Sequence, residues 1–278
     1  MKTRPVLPFA LVLAVLAFSS LAVAQDAQRR PNDPSQSIPV SRYSVFSKEL
    51  GPGGPAPKRD VSGVWAGPLE AERGAVPAMT PLGQKLFSVN KTERKDGWAH
   101  ANDPWKTCDP FGVPRSAVNE TRGISFAPLP NKIVVLHQYN RVWREVWMDG
   151  RALPKNVGMK GGPDPTWYGY SVGHWDGDNT LVIDTTGSDD SEWLDPRGYP
   201  HSVQGVFEER YKRVDHNHLE MTVTVDDPKI YTKPFVLGTN KFVWVPSQES
   251  EEQICVPSQA ISYVNIISIP VAGDQEQK

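Results

Sequence analysis

Val206-Phe-Glu-Glu-Arg-Tyr-Lys-Arg-Val214, then Asp215-His-Asn217, then His218-Leu-Glu-Met-Thr-Val-Thr-Val-Asp226 is the stretch that decides the fold. In its second arm Leu219, Met221, Val223 and Val225 alternate with His218, Glu220, Thr222 and Thr224. A period of two with β-branched residues is a half-buried strand. The polar Asp-His-Asn insert supplies turn chemistry, so the whole reads as a hairpin.

The same grammar repeats outward in both directions. Upstream, Tyr170–Asp176 passes through Gly177-Asp-Asn179 into Thr180–Thr185, and Lys132–Tyr139 passes through Asn140-Arg141 into Val142–Met148. Downstream, Tyr231–Leu237 passes through Gly238-Thr-Asn240 into Lys241–Val245, and Ile261–Ile269 reads as a final strand. Val61–Trp65 is a short opening strand. One helix is expected, at Thr80-Pro81, with Thr as N-cap, Pro at N1, and Leu82, Leu86 and Val89 at helical spacing. No strand–helix–strand rhythm of a parallel sheet is present. The reading is therefore all-β: an antiparallel up-and-down meander of about nine to eleven strands. Such a meander hides its edges by closing into a barrel, with a two-sheet β-sandwich as the alternative.

Alternation also assigns faces. Leu181, Ile183, Leu219, Met221, Val223, Phe242 and Trp244 are expected to face inward, and Trp143 and Trp147 with them. Glu145 lies between those two tryptophans, and Arg144 falls on the opposite face. Pattern alone leaves a hollow and a filled interior equally open.

The ends of the chain read differently. Lys2 and Arg4, the apolar run Phe9–Phe18 and Ala22-Val-Ala24 form a secretory signal with cleavage expected after residue 24. Residues 25–59 are a Pro/Gly-rich leader, expected to be disordered apart from a docking segment at Tyr43–Phe46. A single domain is expected over 60–270 and a disordered tail over 271–278. Export makes a disulfide between the only cysteines, Cys108 and Cys255, the favoured state. The expected address is periplasmic or secreted.

Composition narrows function. Across 278 residues the net charge is −2, with 30 basic and 32 acidic side chains, so there is no basic footprint for nucleic acid. No apolar run is long enough for a membrane span once the signal is removed. No P-loop, dinucleotide fingerprint or Gly-x-Ser-x-Gly elbow is present, and no cofactor is implied. The six histidines are scattered, and Asp176-Gly-Asp178-Asn179 lacks the distal carboxylate of a calcium loop, so no metal site is expected.

Several segments resemble a family of secreted bacterial proteins whose activity is uncharacterised. They are Asp60-Val-Ser-Gly-Val-Trp65, Met79-Thr-Pro-Leu-Gly-Gln84, Asn102-Asp-Pro104, Cys108-Asp-Pro-Phe-Gly-Val-Pro-Arg115 and Trp143-Arg-Glu-Val-Trp-Met-Asp-Gly-Arg151. Asp164-Pro-Thr-Trp-Tyr-Gly-Tyr-Ser-Val-Gly-His-Trp-Asp-Gly-Asp178, Trp193-Leu-Asp195, Pro200-His-Ser202 and Asp226-Asp-Pro-Lys-Ile-Tyr-Thr-Lys-Pro234 complete the set. The resemblance implies an exported domain. Gly63-Val-Trp65 opening a meander also resembles the start of lipocalin-like barrels, which implies a small-molecule barrel.

Three functions follow from these residues. The first is binding of a small apolar or aromatic molecule by Trp143, Trp147, Trp167, Tyr170 and Trp244 with Arg144 and Arg210. The second is cofactor-independent lyase, isomerase or hydrolase chemistry. It would use Glu145, His174 and His201 for proton transfer, because a desolvated carboxylate and a near-neutral imidazole suit that task. The third is a structural or interaction protein of the cell envelope. Composition does not fix the oligomeric state.

Overall fold

The computed structural model describes residues 51–119, 123–246 and 253–276. The signal, the docking segment at 43–46 and most of the leader lie outside the described residues.

Nine strands form one closed barrel in chain order: β1 (Gly63–Arg73), β2 (Gly123–Pro128), β3 (Lys132–His137), β4 (Val142–Trp147), β5 (Tyr170–Asp176), β6 (Thr180–Thr186), β7 (Val206–Arg213), β8 (His218–Asp226) and β9 (Phe235–Trp244). β9 returns to pair antiparallel with β1, Trp65 opposite Trp244. The hairpin Val206–Asp226 is present as read, with Phe207 opposite Val225 and Tyr211 opposite Met221.

One pair departs from the expected antiparallel meander. β4 and β5 run parallel and share only Val146↔Ser171 and Trp147↔Val172. The reason is parity. Directions cannot alternate all the way round a ring of nine strands, so one neighbouring pair must run the same way. The connection 148–169 carries the chain back to start β5 beside β4. That is far longer than a hairpin turn, as a parallel connection requires.

The last expected strand is also corrected. Residues 261–269 are helical, within a continuous run made of α4 (Pro257–Tyr263), a π-helical turn (Val264–Ser268) and α5 (Ile269–Glu276). Once β9 has paired with β1 the barrel offers no free edge, so the β-branched run has no ladder to join. Pro257 at the first turn starts a helix instead. The expected helix is present as α1 (Pro81–Ser88), where the Thr80 hydroxyl accepts from the Gly83 N–H at 3.1 Å. Two further single-turn helices, α2 (Glu93–Asp96) and α3 (Arg115–Val118), were not foreseen.

Cys108 and Cys255 are disulfide-bonded, tying the segment ahead of α4 to the loop after α2. The stretch 51–59, read as disordered leader, lies against the β7–β8 turn. The Asn217 N–H donates to the Pro52 carbonyl, the His216 N–H to Gly54, and Lys58 pairs with Asp178 at 2.9 Å. The Asn217 N–H also donates to the Asp215 carboxylate within the turn, at 2.8 Å. Among the described residues no helix is long and apolar enough to cross a membrane.

The interior is packed with side chains. Trp65, Phe126, Val135, Val146, Leu181, Ile183, Phe207, Leu219, Met221, Val223, Leu237 and Phe242 belong to one buried cluster. β4 enters it with the face opposite to the one expected. Arg144 and Val146 point inward, while Trp143, Glu145 and Trp147 point out. Arg144 is tolerated inside because β7 brings Glu209 to meet it. Its Nη2 donates to both Glu209 carboxylate oxygens, at 2.6 and 2.7 Å. Its Nη1 donates to Ser171 Oγ on β5 at 3.2 Å and to Thr185 Oγ1 on β6 at 3.3 Å. The Tyr211 hydroxyl donates to Glu209 at 2.7 Å. One arginine thus links four consecutive strands from within, across the seam that has the fewest ladder pairs. Burial opposes its charge, but Glu209, Tyr211 and Tyr168 together outweigh burial and hold the guanidinium above its ordinary pKa.

Removing one partner of a buried ion pair strands the other charge. Arg144→Ala is expected to lower unfolding free energy by about 3–5 kcal/mol in urea titrations. The Arg144→Met/Glu209→Leu double variant is expected to recover most of that loss. A double variant no more stable than Arg144→Ala would contradict this account of the interior.

Candidate functional site

Outside the barrel, the β4–β5 seam and the connection above it enclose a cleft of about 710 Å³. Its walls carry Trp143, Glu145 and Trp147 from β4, Trp167 and Tyr168 from the connection, and Tyr170 and Val172 from β5. Arg144 and Ser171, members of the interior network, also line it.

Each wall is fixed by local geometry. The Gly169 N–H donates to the Thr166 carbonyl at 3.1 Å, closing a turn that projects Trp167 and Tyr168. Gly169 has φ +61°, and a Cβ there would come within 2.6 Å of the Thr186 carbonyl oxygen, so only glycine fits. The Tyr170 hydroxyl donates to the Asp164 carbonyl at 2.8 Å. Behind Trp167, Gly112 lies so close that a Cβ would meet the Trp167 carbonyl at 2.7 Å. The loop that begins at the disulfide therefore backs the cleft wall.

The charges in the cleft are answered within the protein. Arg151 lies over the Trp147 ring, 3.6 Å from its centroid, and its Nη2 pairs with Asp149 at 2.6 Å. That hydrogen bond holds the Asp149 carboxyl below the usual carboxylate range. Lys132 Nζ lies 5.0 Å from the same ring and pairs with Glu145 at 2.5 Å. Trp143 and Trp167 keep 58% and 37% of their surface exposed, which makes them open stacking faces.

Six of the residues singled out from sequence line this one cleft: Trp143, Arg144, Glu145, Trp147, Trp167 and Tyr170. They do so from outside the barrel, so the interior lining expected of Trp143 and Trp147 is corrected. Their large rings stay half-wet because the inward positions of β4 are taken by Arg144 and Val146. Glu145 is likewise not desolvated; it faces out beside Lys132.

The other four do not line the cleft. His174 is exposed on the outer face of β5, where it acts electrostatically on Asp184. His201 is buried in a loop, edge-to-face with Phe207 at 5.4 Å, with Nδ1 3.3 Å from the Ser202 carbonyl. Burial pushes its pKa down, so it is a neutral packing histidine near pH 7. The neighbouring Ser202 hydroxyl donates to Asp227, not to the imidazole. Arg210 pairs with Asp176 and approaches Glu208 at 3.9 Å. Trp244 packs edge-to-face on His216 at 4.6 Å. The Glu145–His174–His201 constellation is therefore not assembled in one cavity.

Sequence reading missed Glu209 and Tyr211 as partners of Arg144, and Arg151 as a cleft wall. Period-two alternation in the Val206–Val214 arm puts Glu209 and Tyr211 on one face with Phe207, so an acid sharing an apolar face was available as a signal. Among the described residues, no group of three or more His, Cys, Asp and Glu is placed to hold a metal ion. No family model, curated protein or solved structure matches the chain.

A second buried charge cluster lies beside the loop that backs Trp167. Arg115 forms two hydrogen bonds with Asp103, at 2.7 and 2.8 Å, and approaches Glu192 at 3.5 Å. Burial pushes the Glu192 carboxyl up to about 8; Arg115 opposes this, and Asp103, Asp109 and Asp189 reinforce it. The folded protein thus keeps a proton that the unfolded chain releases above the ordinary carboxylate range. The resulting stabilisation is complete below about pH 4.5 and is lost as pH rises to about 8. Urea titrations should show wild type losing stability across this range and Glu192→Gln losing distinctly less. Identical pH profiles would place the proton elsewhere.

Proposed function

We propose that this chain is an exported β-barrel that binds a small molecule, through a flat apolar face, in the cleft at the β4–β5 seam. One observation carries the reading: five aromatic side chains, Trp143, Trp147, Trp167, Tyr168 and Tyr170, surround one cleft of about 710 Å³. That volume lies in the range of small-molecule sites, and exposed aromatic walls are costly unless they meet a ligand. Support for export comes from the N-terminal signal pattern and from the Cys108–Cys255 disulfide, a bond that persists in oxidising compartments. Binding is favoured over proton-transfer catalysis because Glu145 has Lys132 as its partner, while His174 and His201 lie off the cleft.

Native mass spectrometry of protein purified from its own compartment tests this. The expected result is a bound mass that disappears on denaturation and is absent from a Trp143→Ala/Trp167→Ala variant. An adduct retained by that variant would move the site elsewhere, and an empty wild-type protein would remove the carrier reading.

A further inference from the structure

Two features decide what kind of ligand suits the cleft: its charge and its openness. Every charged side chain in its lining already has an opposite charge from this chain. Arg144 has Glu209 at 2.6 Å, Arg151 has Asp149 at 2.6 Å, and Glu145 has Lys132 at 2.5 Å. An anionic ligand would have to compete with a carboxylate for each guanidinium, and a cationic one with Lys132 for Glu145. The electrostatics therefore select a neutral ligand.

Openness selects its shape. Trp143 is more than half exposed, so the outer edge of anything resting on it stays in water. A wholly apolar molecule would leave that edge poorly hydrated. A ligand with an apolar face and a polar rim loses nothing there. The wall chemistry matches such a ligand on both counts. Indole faces carry negative quadrupole density, which attracts the partly positive hydrogens of C–H groups. The paired Glu145 carboxylate and Arg151 guanidinium, held in place by their own partners, offer an acceptor and a set of donors in fixed directions.

Resting on the cleft reading above, we infer that the ligand is a neutral saccharide, stacked by its C–H face on Trp143 or Trp167 and hydrogen-bonded through its hydroxyl rim to Glu145 and Arg151. The cavity, at about 710 Å³, holds more than one pyranose ring, which points to a short stretch of glycan chain rather than a single free sugar.

The test is calorimetric titration of the full mature protein with D-glucose, cellohexaose, xylohexaose and mannohexaose. 2-Naphthol serves as a neutral flat aromatic and tri-galacturonic acid as an anionic sugar. At least one neutral hexasaccharide is expected to bind, more tightly than glucose and than tri-galacturonic acid. Trp143→Ala is expected to weaken that binding about tenfold, with an unchanged melting temperature because the ring is largely exposed. Trp143→Phe is expected to restore most of it.

Failure of all three neutral hexasaccharides to bind at up to about 10 mM overturns the inference. If 2-naphthol then binds and Trp167→Ala abolishes it, the cleft reading stands and only the ligand class falls. If no probe binds, both fall. Tighter binding of tri-galacturonic acid than of any neutral sugar overturns the charge argument.

Discussion

A ring of nine strands cannot alternate direction throughout, and the rest of the structure depends on that constraint. One seam has to run parallel, and β4–β5 takes it, with two paired positions where neighbouring hairpins have six or more. The long connection 148–169 that parity demands is also the segment that brings Trp167 and Tyr168 over the seam. The cleft is thus a consequence of how the barrel closes. It lies where the backbone ladder is thinnest and where the longest loop between strands β2 and β9 is free to carry binding residues.

What the ladder does not supply at the seam, a buried charge does. Arg144 reaches from β4 to Ser171, Thr185 and Glu209 on the next three strands. A buried ion pair is weak evidence for stability in general, since a well-packed apolar replacement often does as well. Its value here is positional. It fixes β4 against β5 from inside, so that the tryptophans on the outer face of β4 and the tyrosine of β5 keep their spacing across the cleft. The second buried cluster, Arg115 with Asp103 and Glu192, performs the matching task for the loop behind Trp167.

Much of this was legible in the sequence, and the misses have identifiable causes. The hairpins at 132–148, 170–185 and 206–226, the barrel, the Thr80–Pro81 helix start and the cysteine pair follow from period-two alternation, turn residues, capping and an even cysteine count. The hairpin expected at 231–245 is instead the single strand β9, because Gly238, Thr239 and Asn240 pair with β1 and β8 rather than turning. The Ile261–Ile269 strand failed because β-branched composition reports a preference, while ring closure decides whether an edge exists to satisfy it. Trp143 and Trp147 were put on the wrong face because bulk was taken to mean burial. Arg144 takes the inward position because Glu209 of β7 meets its charge there. Six ligand or acid-base residues nevertheless fell on one cleft, because they crowd into two short stretches, 143–147 and 167–170, that the parallel seam sets side by side. His174, His201, Arg210 and Trp244 were chosen one by one on chemistry, and spacing along the chain does not report which loops meet.

The central claim is that Arg144 holds the parallel seam closed and so shapes the cleft. Amide hydrogen exchange of wild type and Arg144→Gln, read strand by strand, tests it most directly. The account predicts that the substitution accelerates exchange in β4 and β5 while β7 and β8 remain protected on the same timescale. Equal acceleration in all nine strands, or none at the seam, would contradict it.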